Sequence, residues 1–460
     1  MNLAKQRKSL LIVSLLIFYS GSLFCQNKNT VQKTQTGTIE SKSKVNWVTR
    51  DFSSELSLDA EKADIKLPSG KKIASNKLKS KMPQLIQSPL LSLFADSRSS
   101  LADKVIEDKI SINDVFKFIS GGYKTPDTFT HDLKKLNTTN TNNINEIGKL
   151  LVKHNYAYKP EQPIDIVSTR AFSGIIIDAR GNLPVRGEYI KESTYPCFFP
   201  QIWDEEMNVL FEKNSVTPDY VKTDGLVKYH YSNNLSDYSD RVGMDPLYIR
   251  ATEVFGRNRT DPIISRQDAL KILAEEENIE LLTQGKVVIL LDKENLIYDI
   301  AVPERDATYY VHYNDVKSYF YENKVPDVVV SDTINGILFS VNLNFIPDSP
   351  ELLPSEQPRI KAIAENLEKI LLDNGYTILV EGHTADVGKP VGQLNLSIER
   401  TRTVMNALIS HGLDESLFTY KGYGGTMPIA TNETEEGRAQ KRRVDLTARP
   451  KATYIQRDWN

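Results

Sequence analysis

The sequence predicts a multidomain protein of the α/β and α+β classes. Its C-terminal part should be a β-α-β-α-β-(α)-β sandwich, in which helices cover one face of a mixed sheet. The chain has 460 residues, which indicates roughly two to four domains. Its 40% hydrophobic and 25% charged content is ordinary for globular protein, and strand and helix periodicities alternate clearly from residue 337 to residue 448.

Changes in composition divide the chain into five predicted segments. They are a signal peptide over 1–25, a disordered linker over 26–45, an N-terminal α+β domain over 46–165, a middle α/β domain over 166–330 and the C-terminal domain over 331–455.

The N-terminus has the composition of a secretory signal. Three basic residues precede the apolar stretch 10–19 (LLIVSLLIFY), which is short for a transmembrane helix. We therefore predict export, with an uncleaved N-terminal anchor as the alternative. Lipidation of Cys25 stays open, because Phe24 precedes it where a small residue is usual. The remaining cysteine, Cys197, cannot form an intrachain disulfide and is predicted to be buried.

The region after the signal is predicted to be a polar tether followed by an α+β domain. Residues 26–45 are rich in Thr, Ser, Lys and Gln, which is typical of disorder. Near-alternate apolar residues at Phe52, Leu56 and Leu58 predict a half-buried strand. A helix over 78–93 should be broken at its two prolines.

The rest of this domain shows a capped helix and a polar loop. Ser111 is a predicted N-cap, and residues 137–145 (NTTNTNNIN) are predicted to be a loop before a short helix over 147–154. No chemical motif is present here.

The middle domain alternates strands and helices. We predict a buried strand and turn over 172–181, a hairpin formed by 201–204 and 209–211, a helix capped at Ser265, and a central strand over 287–291.

Two motifs of this domain resemble a family of uncharacterised exported bacterial proteins. They are the strand and turn 174–181 (GIIIDARG) and the stretch 255–259 (FGRNR). The resemblance covers roughly 130 residues. It implies a location in the cell envelope and no particular chemistry.

The C-terminal domain has the most regular pattern. The predicted elements are strands over 337–345, 376–380, 418–422 and 443–448, with helices over 354–372 and 396–411, the second ending at Gly412.

Four motifs in this domain have the order and spacing of a known family. They are 381–384 (EGHT), 396–400 (LSIER), 422–424 (GYG) and 441–445 (KRRVD). Together they resemble the OmpA family C-terminal domain, whose pattern is a Gly-His-Thr-Asp loop, a Leu-Ser-x-x-Arg helix, a Gly-x-Gly turn and a final Asn-Arg-Arg-Val-Glu strand.

The resemblance implies binding of a zwitterionic amino-acid centre in the peptidoglycan stem peptide. An aspartate holds the ligand ammonium and an arginine holds its carboxylate, as charge-assisted pairing requires. Arg400 matches the arginine, whereas Ala385 stands at the aspartate position and Asp386 follows it. We therefore predict a peptidoglycan site formed by Arg400, Asp386, Thr384 and His383.

A structural interpretation of the same residues stays open. Arg400 could pair with a surface acid, Asp386 could cap its loop, and His383 and Thr384 could form the turn. Arg442 and Arg443 are predicted to be solvated strand charges.

No enzyme motif is found, so we predict no catalytic residue, metal or cofactor. None of the six histidines has metal-ligand spacing, and there is no nucleophile elbow or Walker loop. Asp178 and Asp204 could be paired glycosidase acids, but capping of turns is favoured. The net charge of −3 gives no case for nucleic-acid binding.

The sequence thus predicts an exported, non-enzymatic envelope protein in the periplasm or peripheral to the outer membrane. Its partners would be peptidoglycan and envelope proteins, without a membrane-spanning barrel, because no alternating strand series is found. The alternative is a periplasmic interaction scaffold with a degenerate pocket. A third hypothesis is an envelope enzyme acting through the middle domain.

Overall fold

The computed structural model describes residues 37–160, 163, 165, 167–188, 190–372, 375–384, 390–424 and 443–458. The predicted signal peptide and residues 26–36 of the predicted linker lie outside these ranges. No helix in the described ranges combines the length and the apolar content that are needed to cross a bilayer.

Strands and helices are numbered along the described chain. The strands are β1 Ile39–Asn46, β2 Asp51–Asp59, β3 Tyr123–Lys124, β4 Thr128–Phe129, β5 Lys135–Asn143, β6 Ile175–Asp178, β7 Asn182–Pro184, β8 Lys191–Ser193, β9 Ile202–Asp204, β10 Val209–Phe211, β11 Lys228–His230, β12 Leu247–Arg250, β13 Glu253–Phe255, β14 Asp261–Ile264, β15 Val287–Leu290, β16 Ile297–Asp299, β17 Val302–Pro303, β18 Val328–Thr333, β19 Gly336–Val341, β20 Thr377–Gly382, β21 Phe418–Gly422, β22 Val444–Arg449, β23 Ala452–Thr453 and β24 Ile455–Arg457. The helices are α1 Lys71–Leu91, α2 Leu101–Ile106, α3 Ile112–Ser120, α4 Asn145–Gly148, α5 Pro218–Asp224, α6 Ser239–Val242, α7 Arg266–Leu273, α8 Glu276–Thr283, α9 Lys293–Leu296, α10 Ala307–Glu322, α11 Gln357–Leu371 and α12 Pro390–Ser410.

The first sheet combines strands from distant parts of the chain. Its order is β16-β1-β2-β5-β3, with β24 also paired to β1 and β4 to β5. The predicted strand around Phe52 is confirmed as β2, whose inward side chains are buried. Because β16 and β24 both pair with β1, three regions of the sequence share this sheet.

The prediction of a disordered linker is wrong for residues 39–45, which form most of β1. Ile39 and Val45 are fully buried, and the inward residues between them are Ser41 and Ser43. The hydroxyl of Ser43 bonds to that of Ser54 on β2 at 2.7 Å. Small hydroxyl side chains give the strand a polar composition but still fit between paired strands.

The prediction of a loop over 137–145 is also wrong, because residues up to Asn143 belong to β5. Asn140 and Asn142 point inward and are buried. The amide of Asn140 donates to the carbonyl of Ile119 at 3.2 Å, and the amide of Asn142 donates to the carbonyl of Phe118 at 2.5 Å. These carbonyls lie in the last turn of α3, where the helix itself offers no partner.

Helix α1 is one continuous helix that includes Pro83 and Pro89, so the predicted break is wrong. A proline inside a helix costs about 3 kcal/mol. Burial of Leu78, Met82 and Ile86 along the same helix offsets this cost.

The middle region holds two four-stranded sheets. The first has the order β11-β15-β6-β12 and is parallel throughout, which confirms β15 as a central strand. The second has the order β10-β9-β14-β13, and its antiparallel β9–β10 pair confirms the predicted hairpin. Ser265 caps α7 through the backbone N–H of Asp268, as expected.

The C-terminal sheet has the order β18-β19-β22-β20-β21. Strands β20 and β21 are parallel and the other pairs are antiparallel, which confirms a mixed sheet. The apolar side chains of α11 and α12 share one core with Ile337, Phe339 and Leu446 of the sheet. The edge strand β18 precedes the predicted first strand, and α12 begins at Pro390 rather than at residue 396.

Candidate functional site

The candidate site lies at the carboxyl ends of β20 and β21, beside residues 394–401 of α12. Gly382 and Gly422 end these strands and pair in register. A Cβ on Gly382 would lie 2.1 Å from Thr401 Oγ1, and one on Gly422 would lie 2.5 Å from Ser397 Oγ. The two motif glycines are therefore needed because the helix lies directly on the sheet at this point.

Backbone hydrogen bonds fix His383 and Thr384 just beyond β20. The N–H of His383 donates to the carbonyl of Arg443 at 3.0 Å, and the N–H of Thr384 donates to the carbonyl of Gly424 at 2.8 Å. The His383 ring stacks on Tyr423 with centroids 5.4 Å apart. The structure thus brings together two of the four predicted site residues.

His383 belongs to a buried charge network around Asp445. Its Nε2 lies 3.4 Å from Asp445 Oδ2, which also accepts from Arg443 Nε at 2.9 Å. Burial would raise the pKa of Asp445, but the hydrogen bond from His383 and the charge of Arg443 lower that pKa to about 2. Burial lowers the pKa of His383 even though Asp445 opposes this shift. His383 is therefore a neutral donor to a charged carboxylate at neutral pH.

Four polar atoms around this network are buried and have no hydrogen-bond partner among the described residues. They are His383 Nδ1, Thr384 Oγ1, Gln393 Nε2 and Arg443 Nη1. Buried polar groups are normally paired, so these four atoms have unused hydrogen-bonding capacity. The set supplies an acceptor, a hydroxyl, an amide donor and a guanidinium donor.

Arg400 lies on the side of α12 that faces the segment after β19. Its Nε donates to the carbonyl of Ser349 at 3.1 Å, and its guanidinium lies over the ring of Phe345, 4.6 Å from the centroid. These contacts orient a half-buried cation. Asp386 and Ala385 lie outside the described residues, so the pairing of Asp386 with Arg400 stays a prediction.

Two charged groups next to this site were not predicted from the sequence. Arg443 is only 9% exposed and bonds to Asp445, so its interpretation as a solvated strand charge is wrong. Glu381 is buried at the end of β20 and pairs with Arg257 Nη2 at 2.8 Å. The 255–259 motif could have drawn attention to Arg257. The sequence does not indicate that Glu381 is the partner of Arg257.

The acids considered for catalysis are both engaged in other bonds. Asp204 accepts from the backbone N–H groups of Glu206 and Asn208 at 3.0 and 2.8 Å, so it caps its turn. Asp178 accepts from two nitrogens of Arg180, at 2.8 and 2.7 Å. Within the described ranges, no three His, Cys, Asp or Glu side chains form a group that could hold a metal ion.

Comparison with protein families identifies three domains. Residues 344–442 match the OmpA family. Residues 38–150 match the family of the N-terminal domain of Treponema pallidum Tp0624, and residues 174–293 match that of its second domain. The chain therefore carries an OmpA-family domain after two Tp0624-type domains, which confirms the resemblance seen in the motifs.

Individual relatives match part of the chain. The chain is 32% identical over 143 residues to the probable lipoprotein YiaD of Escherichia coli (strain K12), covering 30% of this chain and 64% of the relative. It is 32% identical over 110 residues to outer membrane protein A of Bordetella avium, covering 24% of this chain and 55% of the relative. It is 32% identical over 99 residues to the peptidoglycan-binding protein ArfA of Mycobacterium bovis, covering 22% and 29%. The chain spans less than two thirds of the length of each.

Solved structures with a similar part include the periplasmic domain of Helicobacter pylori MotB, with a TM-score of 0.26 and 26% identity over 28% of this chain and 82% of that one. An outer membrane protein of Borrelia burgdorferi has a TM-score of 0.22 and 31% identity over 26% and 96%.

Proposed function

We propose that this protein is an exported, non-enzymatic component of the cell envelope that binds peptidoglycan non-covalently through its OmpA-family domain. Arg400 would hold the carboxylate of the stem-peptide zwitterion and Asp386 its ammonium, with His383 and Thr384 forming the adjoining wall. The protein would act in the periplasm or at the periplasmic side of the outer membrane.

The observation that carries the proposal is the placement of Arg400. Its guanidinium is held over Phe345 and by the carbonyl of Ser349, so its direction is set before a ligand arrives. Pre-orientation lowers the entropy cost of forming a bidentate pair with a carboxylate. The match of residues 344–442 to the OmpA family and the similarity to the peptidoglycan-binding protein ArfA support the same ligand class.

Co-sedimentation with purified sacculi tests this proposal. Wild-type protein should pellet, and Arg400→Ala should lose affinity because the ligand carboxylate would be left without its cation. Leaving a buried charge unpaired costs about 2–5 kcal/mol, or roughly thirty-fold to several-thousand-fold in affinity. Arg402→Ala is the matched control, since Arg402 is exposed two residues further along α12 and bonds to Tyr420.

Two results would refute the assignment. If wild-type protein remains in the supernatant, the protein does not bind peptidoglycan. If Arg400→Ala and Arg402→Ala pellet equally, peptidoglycan binds elsewhere on the protein. Release of soluble fragments from the sacculi would instead favour an enzyme.

The second candidate function is an interaction scaffold whose wall pocket has degenerated. The observation in its favour is Ala385, which stands where the family has its aspartate. Asp386→Asn separates the two candidates, because it should weaken sedimentation only if that carboxylate takes over the role of the missing one.

A further inference from the structure

A second cleft borders the candidate stem-peptide site at Arg443. It has a volume of about 850 Å³, which is within the range of small-molecule sites. Its walls come from α2 and the turn before it, from the region of the β9–β10 hairpin, and from Arg443. His383, Thr384 and Arg400 are not among the described residues that line it.

The carboxylates of the cleft are already bonded. Asp96 pairs with Lys104 at 3.1 Å, and Glu107 pairs with the same lysine at 3.4 Å. Asp103 closes the capping box of α2. Glu212 accepts from the amide of Gln201 at 3.2 Å. Groups of the protein itself therefore already bond to these acids.

The opposite holds for most of the cations. Four cations that line the cleft have no carboxylate within 4 Å among the described residues: Arg98, Lys109, Lys153 and Lys213. Acids in the wall are thus engaged while cations are left over, and the cleft carries a surplus of positive charge that favours an anionic ligand.

Lys213 is the clearest of these cations because it is partly buried. Its Nζ donates to the carbonyl of Leu151 at 3.1 Å and lies 5.2 Å from the centroid of the Phe199 ring. Burial lowers the pKa of Lys213, although the more distant charges of Asp96 and Glu212 oppose this shift. No carboxylate of the described residues lies within 4 Å as a direct counterion. A ligand carboxylate would supply one.

Arg443 adds a second buried cationic group. It is 9% exposed, its Nε is bonded to Asp445, and its Nη1 has no hydrogen-bond partner among the described residues. Since Arg443 lines the cleft, its guanidinium adds positive charge to the wall.

Flat aromatic faces accompany these charges. Phe199 and Trp203 both line the cleft, and the indole N–H of Trp203 donates to Asp261 at 3.3 Å, which fixes its ring. Two planar amide side chains, those of Gln201 and Asn214, lie along the same wall. Aromatic rings bind the apolar faces of sugar rings, and amides bond to hydroxyl groups.

We propose that this cleft binds an acidic glycan, a sugar chain that bears carboxylate groups. The surplus cations would pair with the carboxylates while Phe199 and Trp203 contact the sugar rings. An acidic peptide fits the charges but makes less use of the fixed aromatic faces. The inference goes beyond the proposed function and does not depend on the zwitterion site.

Peptide-free glycan strands from amidase-treated sacculi are the probe for this cleft. They keep a lactyl carboxylate on alternate sugars but lack the stem peptide, so only the cleft should bind them. Calorimetric titration of the full chain should show binding to these strands and not to neutral chitotetraose. Lys213→Gln should weaken binding about tenfold or more, the effect of losing one charge-assisted bond.

The controls separate this proposal from the previous one. Lys117→Gln changes an exposed lysine outside the cleft and should bind like the wild type. Arg400→Ala should also bind peptide-free strands normally, even if it no longer pellets with sacculi. Lys153→Gln, at an exposed cleft position, should weaken binding without affecting folding, which a thermal melt can check.

Three outcomes would overturn the proposal. They are no binding of the strands by the wild type, equal binding of neutral chitotetraose, and binding of a poly-glutamate peptide in place of the glycan. The last outcome would assign the cleft to an acidic peptide.

Discussion

The ion pair between Arg257 and Glu381 should hold the OmpA-family domain against the middle region. Glu381 is 2% exposed, with one oxygen 2.8 Å from Arg257 Nη2 and the other accepting from the Tyr423 hydroxyl at 3.0 Å. Replacing Arg257 with alanine would leave this carboxylate buried with a single hydrogen bond.

The expected cost follows from this geometry. Removing one partner of a fully buried pair costs about 3–5 kcal/mol. The side chain of Arg257 is 35% exposed, so water can enter the space it leaves and Tyr423 still donates. We therefore expect Arg257→Ala to destabilise the region around β20 by about 2–3 kcal/mol. At about 1.4 kcal/mol per tenfold, this is roughly a thirty- to hundred-fold rise in the equilibrium constant for local opening.

Hydrogen exchange of the β20 amides measures that opening. Their protection should fall in Arg257→Ala and recover largely in Arg257→Ala/Glu381→Gln, because the double variant has no stranded charge. Arg250→Ala, at an exposed arginine of the middle region, should leave protection unchanged. A loss below about 0.5 kcal/mol in the single variant, or a double variant as unstable as the sum of both changes, would refute the reasoning.

Two further predictions concern stability. The pKa of Asp445 is about 2 in the folded protein, so its stabilisation is fully present above pH about 4 and is lost as the pH falls through 2. Asp445→Asn should therefore cost about 2 kcal/mol in urea unfolding at pH 7 and about half as much at pH 3. A difference that does not change with pH would contradict this. Gly187 has a φ of +80°, and a Cβ there would lie 1.9 Å from Leu394 Cδ2, so Gly187→Ala should lose about 1–2 kcal/mol in thermal unfolding. Gly181 is the control, because it has a similar φ of +79° but a Cβ there would have no neighbour within 4 Å. If Gly181→Ala loses as much stability as Gly187→Ala, the Leu394 contact contributes nothing.

The elements of the OmpA-family domain were largely predictable because their signals are local. Alternation of apolar residues indicated β21 and β22, and a 3.6-residue period indicated α11. The cap at Ser265 was equally readable, because its partner lies only three residues away.

The polar strands were not predictable in this way. The sequence of β5 is typical of a loop because it is rich in Asn, which has low strand propensity, and has few apolar residues. It is buried because Asn140 meets the end of α3, whose carbonyl at Ile119 is 21 residues distant. Strand β1 likewise depends on pairing with β16 and β24, which lie far along the chain.

The candidate site shows the same division. The sequence by itself identified the family motifs, their glycines and the positions of His383, Thr384 and Arg400, since each motif is short and ordered. Only the tertiary structure placed Arg443 beside His383 and joined Arg257 to Glu381, residues that are 124 positions apart. Short-range periodicity specifies which face of an element is buried, whereas the partner of a buried charge is decided by which distant segment packs against it.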